Sequence, residues 1–204
     1  MGLDDDLIAY YDAEARGRHR VGHGDLRQSL RDRFAEMLRC DRRVRLVDVG
    51  SGPGLDTEAW HRDGFEVVGL DLAQGNVALL QEQRLVGVAG SLYNLPFRTA
   101  AFDALWTMST FVHVPDERFD EAITEMVRVV PPGALLAIGT WGGLDFEGVR
   151  EFGDLRPYRF FSLRSHDRWR QLLAEHGELI TFDTFESSGS HGWEYQFAVV
   201  RAPG

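Results

Sequence analysis

Between Val44 and Leu72 the chain runs from a β-rich stretch through a glycine turn and a helical stretch into a second β-rich stretch, and that order leaves few folds open. The first strand is read as Val44 to Val49. It ends on Gly50-Ser51-Gly52-Pro53-Gly54, and a helix follows from about Leu55 to Asp63, with Gly64 placed to close it. A second strand, Glu66 to Leu70, ends at Asp71. A strand that ends in a glycine-rich turn and opens a helix is the outline of a nucleotide-type site in a parallel α/β sheet.

The rest of the chain repeats this alternation, which predicts βαβ units. A helix runs through Val77, Leu79 and Leu80, and the third strand is Leu85 to Ala89. The fourth strand is Phe102 to Trp106. The next helix, Asp116 to Val130, puts Phe119, Ile123, Met126, Val127 and Val130 on one face, and Pro131-Pro132-Gly133 stops it. The fifth strand is Leu135 to Thr140. The stretch from Gly142 to Phe161 reads as irregular. Ser165 is placed to cap a helix that turns Trp169, Leu172 and Leu173 inward and ends at Gly177. Leu179 to Phe185 and Tyr195 to Arg201 are expected to pair antiparallel across a short link. Ahead of all this, Leu26, Leu30, Phe34, Met37 and Leu38 fall at helical spacing, with Asp25 as a possible cap.

The glycine spacing separates cofactors. A dinucleotide site uses Gly-x-Gly-x-x-Gly around a pyrophosphate. This chain has Asp48-x-Gly50-x-Gly52-x-Gly54. A carboxylate two residues before the first glycine would repel a pyrophosphate but can orient the turn or meet a cationic ligand. S-adenosylmethionine, with an ammonium, a sulfonium and no phosphate, is such a ligand. Asp71 lies about twenty residues on, where a carboxylate accepts ribose hydroxyls. A tight turn with no ligand is the alternative on these residues alone.

Val47-Asp48-Val49-Gly50-Ser51-Gly52-Pro53-Gly54 resembles the first motif of class I S-adenosylmethionine-dependent methyltransferases. Val67 to Leu72 resembles their second motif, and Gly87 to Phe97 their third. Phe102 to Trp106 with Val112-His113-Val114-Pro115-Asp116 resembles the fourth. Glu125 to Gly133 resembles the helix and turn before strand five. The resemblance covers about residues 44 to 140. It implies a doubly wound, Rossmann-like α/β fold with seven strands, mostly parallel with the last antiparallel, and helices on both faces. Residues 1–204 then form one methyltransferase domain, with 1–40 as a helical cap and 141–164 as an insertion on the substrate side. It further implies that Asp48, Gly50, Ser51 and Gly52 line the methionine end of the cofactor and that Asp71 holds the ribose. Leu72, Ser91 and Leu92 would meet the adenine. Thr107 and Met108, taken to follow strand four, would place a carbonyl near the amine, and Tyr11 and Arg16, beside Tyr10, would fold over the cofactor. Ser91 stands where the family usually has an acidic residue, Ala73 where it has a Ser cap, and Pro132-Gly133-Ala134 where it has Pro-Gly-Gly.

Composition narrows the partner. The formal net charge is −10, which disfavours nucleic acid, and the arginine runs at 16–20 and 39–45 read as solvated faces. No apolar run is long enough for a membrane span, and the acidic start lacks the pattern of a signal peptide. The single cysteine, Cys40, allows neither an intrachain disulfide nor a thiolate metal cage. These readings point to the cytoplasm; Thr107, Met108 and Ser109, standing where metal-dependent relatives need carboxylates, imply no metal, and the aromatic stretch from Trp141 to Phe161 points to a small-molecule acceptor.

His113 is the candidate base, because it follows strand four at the carboxyl edge where α/β ligands bind; packing or cofactor contact is its alternative role. His19, His23, His166 and His191 have less to place them. Trp141, Phe146, Phe152, Tyr158, Phe160 and Phe161 suggest a substrate wall or else a satellite core, and Arg156 or Arg159 could pair a substrate carboxylate. A nicotinamide oxidoreductase and an inactive cofactor-binding protein are the competing readings.

Overall fold

The structure is a computed structural model that describes every residue except Met1, 17–23, Asp41, 152–153 and 187–191. Seven strands form one sheet in the order β3-β2-β1-β4-β5-β9-β8. They are β1 (Arg45–Val49), β2 (Glu66–Asp71), β3 (Val86–Ala89), β4 (Ala104–Met108), β5 (Leu135–Gly142), β8 (Glu178–Glu186) and β9 (Glu194–Arg201). The first five pair in parallel, while β9 runs antiparallel to both β5 and β8. This is the doubly wound, mostly parallel sheet that the motif order implies.

The central strands explain why the sheet is covered on both sides. All five residues of β4 are buried, as are the last four of β1. Such strands expose no face to water and need helices above and below. On one face α5 (Phe119–Arg128) and α6 (His166–His176) supply Phe119, Ile123, Met126, Trp169 and Leu173. On the other, α2 (Asp25–Cys40) and α3 (Leu55–Arg62) supply Leu30, Phe34, Leu38 and Trp60. The Trp60 and Trp106 rings meet edge to face at 5.2 Å across that second interface.

The helix α1 (Leu3–Arg16) packs on α4 (Gln74–Glu82) above the carboxyl ends of the strands. The Asp12 carboxylate accepts the Gly75 N–H at 2.7 Å, and Asp71 accepts the Ala73 N–H at 2.9 Å. Two acids from outside the helix thus serve the N-terminus that Ala73, standing where a Ser cap is usual, cannot cap. A Cβ at position 75 would sit 2.9 Å from the Ala15 Cβ, so a glycine is what lets the two helices approach this closely.

Several boundaries differ from the sequence reading. The stretch read as irregular contains a second, two-stranded sheet, β6 (Phe146–Arg150) against β7 (Arg159–Leu163). The fourth strand begins and ends two residues later than expected. The helix expected from Asp116 begins at Phe119, after a 3₁₀ turn over Asp116–Arg118. Leu26 is exposed rather than inward. Ser165 sits at the helix start but makes no cap bond; its hydroxyl donates to Asp145 instead, at 3.0 Å. Gly177 ends α6 in extended backbone, and a Cβ there would lie 2.4 Å from the Arg201 carbonyl oxygen. Among the described residues, no helix is long and apolar enough to cross a membrane.

Candidate active site

The strand order reverses between β1 and β4, so the loops that leave them diverge and open a crevice at the sheet's carboxyl edge. A cavity of about 330 Å³ lies there. Its floor is the glycine turn, whose Gly50, Gly52 and Gly54 all adopt positive φ. The Gly50 and Ser51 N–H groups donate to the Leu70 carbonyl at 2.8 and 3.0 Å, which fixes the turn to β2. A Cβ on Gly50 would fall 2.1 Å from the Thr110 hydroxyl oxygen, so this position needs a glycine for space as well as for conformation.

Asp71 joins the turn to the next strand. Its Oδ2 accepts the Gly52 N–H at 2.8 Å, and its Oδ1 accepts from Ala73 N and, at 3.2 Å, from Asn76 Nδ2. Burial raises its pKa, against the pull of these donors. Asp48 is buried in β1, where the Thr57 hydroxyl donates to it at 2.6 Å. Burial, and then the neighbouring Asp56 carboxylate, push its pKa up, so a cation at its face would stabilise the ionised form. Asp56 itself is neutralised by Arg27 at 2.9 Å and Arg31 at 2.8 Å and accepts the Trp106 indole N–H.

The cavity wall carries Asp4, Glu14, Asp48, Asp56 and Asp71, with Arg27 the one arginine among them. The buried Ser51 hydroxyl, which faces the same space, has no partner among the described residues. A cationic ligand with polar groups fits this donor and acceptor set, and a pyrophosphate does not.

Of the residues singled out in the sequence, Tyr11, Asp48, Gly50, Ser51, Gly52, Asp71, Leu72, Ser91, Leu92, Met108 and His113 line the cavity. Thr107 does not. Because β4 extends to Met108, Thr107 is a buried strand residue on the opposite face from Met108. Arg16 does not either. The face of α1 that meets the cavity is Asp4, Leu7, Tyr11 and Glu14, at helical spacing, and Arg16 falls off it and is exposed. Tyr10 is buried behind Tyr11. His166 bonds Gln196 and Glu194 away from the cavity; His19, His23, His191 and Phe152 lie outside the described residues. Asp116 pairs with Arg164 and Arg168.

His113 sits at the junction of this cavity and a side cleft. Its Nδ1 lies 2.7 Å from the Phe160 carbonyl, which only accepts, so Nδ1 carries the proton. Its Nε2 then accepts the Tyr11 hydroxyl at 2.7 Å. Burial lowers the His113 pKa to about 4 and raises that of Tyr11 to about 12. Arg159 donates to the Tyr11 oxygen at 3.0 Å. The side cleft, also of about 330 Å³, is walled by Trp141, Phe161 and Trp193, with Arg159 at its rim. Arg156, by contrast, stacks on Tyr158 at the exposed surface. Phe146 packs into a small cluster with Val112, Phe161, Leu163 and Trp193, so the aromatic stretch is at once a satellite core and a cleft wall.

Sequence reasoning missed Asp4, Leu7 and Glu14, although their spacing with Tyr11 marks one helix face. It also missed Arg27, Asp56, Ser109 and Trp193, which reach the two cavities by tertiary packing and leave no local signal.

A sheet that reverses at a glycine turn tied to an acid on the next strand defines the Rossmann-like cofactor-binding class. The family model described as a methyltransferase domain matches residues 47–138. A malonyl-[acyl-carrier protein] O-methyltransferase of Enterobacter lignolyticus is 30% identical over 76% of this chain and 65% of its own length. The 27-O-demethylrifamycin SV methyltransferase of Amycolatopsis mediterranei is 30% identical over 61% of this chain and 51% of its own length. The chain therefore spans less than two thirds of these curated relatives. The solved structure of Burkholderia thailandensis 1,6-didemethyltoxoflavin-N1-methyltransferase, with 1,6-didemethyltoxoflavin and S-adenosylhomocysteine bound, shares the fold. It superposes with a TM-score of 0.67 at 19% identity, covering 99% of this chain and 88% of that one. Residues 47–138 thus match a methyltransferase domain in sequence, and the whole chain shares the fold of a methyltransferase that binds S-adenosylhomocysteine.

Proposed function

We propose that this protein transfers a methyl group from S-adenosylmethionine to a small-molecule acceptor. The observation that carries the reading is the acidic cavity at the strand-order reversal, with Asp71 bonded to Gly52 on its floor. When bound, the cofactor supplies a methyl group activated by its sulfonium. Asp48, Gly50, Ser51, Gly52 and Met108 would hold its methionine end, Asp71 its ribose, and Leu72, Ser91 and Leu92 its adenine. Tyr11 closes the site from α1.

His113 is the proposed catalytic base. At neutral pH it is uncharged and keeps a lone pair on Nε2. A hydroxyl acceptor would pass its proton to the Tyr11 oxygen while the Tyr11 proton moves to His113 Nε2. In this reading residues 1–204 form one methyltransferase unit, with 1–40 as its cap and 141–164 on the acceptor side. The net charge of −10 supports a protein that does not take nucleic acid as partner, and the lone cysteine with no long apolar run supports a cytoplasmic one without a membrane partner.

Calorimetric titration of the purified protein with S-adenosylhomocysteine, NADH and NADPH tests the reading. Binding of S-adenosylhomocysteine alone, weakened by Asp71→Ala, is expected. Preference for either nicotinamide cofactor would overturn it.

A further inference from the structure

The two cavities that meet at His113 differ in charge. Among the described residues, the charged side chains that line the cofactor cavity are five carboxylates and Arg27. Among the described residues the side cleft has no carboxylate: Arg159 is its one formally charged side chain, beside Tyr11, His113, Trp141, Phe161 and Trp193.

Arg159 is a cation without a carboxylate partner among the described residues. Its one hydrogen bond goes to the neutral Tyr11 hydroxyl. Its guanidinium lies 4.2 Å from the Tyr10 ring centroid, 5.6 Å from that of Tyr11 and 5.2 Å from that of Phe161. Ring faces orient a guanidinium, but they do not satisfy its remaining N–H donors. Of the other arginines near the site, Arg27 and Arg31 are matched by Asp56 and Arg164 by Asp116, while Arg150 lies over the Phe146 and Trp193 rings and does not line the cleft.

Aromatic walls can also hold a cationic ligand, so the alternative has to be weighed. Here the ring faces already serve cations: Arg159 over Tyr10, Tyr11 and Phe161, and Arg150 at 5.6 Å from the Trp193 ring. A cationic ligand would add a like charge beside them, and no carboxylate among the described cleft residues would offset it. A flat apolar body against Trp141, Phe161 and Trp193 with one anionic group toward Arg159 meets both demands.

We propose that the side cleft is the acceptor site and that it takes a flat, apolar acceptor carrying one carboxylate, which pairs with Arg159. This rests on the methyltransferase reading above. The division of charge also sorts the two ligands, since the cationic cofactor is drawn to the acidic cavity and an anionic acceptor to the cleft. One guanidinium matches one negative charge, which favours a carboxylate over a dianionic phosphate.

The test is calorimetry on the full chain saturated with S-adenosylhomocysteine, using 2-naphthoate, 2-naphthamide, 2-naphthylmethylamine and 2-naphthyl phosphate as probes. The naphthoate is expected to bind about tenfold or more tighter than the amide, with the amine weakest, as one charge-assisted pair implies. Arg159→Gln is expected to erase the preference of acid over amide, and Arg159→Lys to keep part of it. Equal binding of acid and amide, tighter binding of the amine or the phosphate, or an acid preference that survives Arg159→Gln would each overturn the proposal. The wild-type comparison stands even if a variant fails to fold. Failure to bind S-adenosylhomocysteine in the same preparation would instead sink the methyltransferase reading, so the two failures are told apart.

Discussion

The Tyr11 hydroxyl donates to His113 Nε2 at 2.7 Å, although 102 residues separate the two in the chain. The bond ties the N-terminal helix to the loop after β4. It also fixes the histidine as its neutral Nδ1–H form, with the Phe160 carbonyl on the other side.

That burial has a pH signature. The folded state holds His113 near pKa 4 against an ordinary 6.5. The unfolded state therefore binds the proton first as pH falls. The stability linked to the neutral ring is fully present above pH 6.5 and is lost as pH falls toward 4, amounting to roughly 3 kcal/mol. Urea denaturation at several pH values should show this slope in the wild type and a shallower one in His113→Gln. An unchanged slope in the variant would rule the assignment out.

Asp71→Ala removes the acceptor for the Gly52 and Ala73 N–H groups at once. Affinity for S-adenosylhomocysteine should fall by roughly 10- to 100-fold, the loss of one or two charge-assisted bonds. Titration calorimetry measures it, and affinity within threefold of wild type would contradict the role given to this residue.

Gly50→Ala should fail on two counts. Its φ of 73° is strained for any other residue, and the new Cβ would meet the Thr110 hydroxyl oxygen at 2.1 Å. That hydroxyl donates to the Val49 carbonyl at 3.1 Å, so it resists moving. A loss of about 2–4 kcal/mol is expected in chemical denaturation, together with loss of cofactor binding. Gly52→Ala provides the contrast, because its φ is also positive but no atom stands within 4 Å of its Cβ.

Arg164 is 1% exposed and holds the His113 loop from below. It donates to the Phe111 and Val114 carbonyls at 3.3 and 2.8 Å and pairs with Asp116 at 2.9 Å. Arg164→Met leaves those groups without their donor and should cost about 3–5 kcal/mol. A drop below 1 kcal/mol in the urea midpoint analysis would show that the staple is dispensable.

What was legible in the sequence is what depends on local chemistry. Gly50, Gly52 and Asp71 announce themselves because a turn of this kind needs positive φ and an acid on the following strand. The order of strands and helices follows from period and turn residues. The misreadings were errors of phase. The fourth strand lies two residues later than its composition suggests, which puts Thr107 in the buried sheet, and the angle of Arg16 on its helix turns it away from the cavity. The second sheet was hidden because Gly148 interrupts one of its short strands. Trp193 and Asp56 reach their positions only through contacts distant in sequence, for which a single chain carries no periodic signal, and such contacts also decide between Arg156 and Arg159.

The two cavities also differ in how they are made. The floor of the cofactor cavity comes from one continuous βαβ unit, in which Gly52 and Asp71 are 19 residues apart. The wall of the side cleft joins Tyr11 to Arg159 across 148 residues. Contacts between distant segments are the last to form and the first to open, because closing a long loop costs more chain entropy than closing a short one. Under mild destabilisation the chain should therefore lose its choice of acceptor before it loses its hold on the cofactor, passing through a state that binds one ligand and is blind to the other.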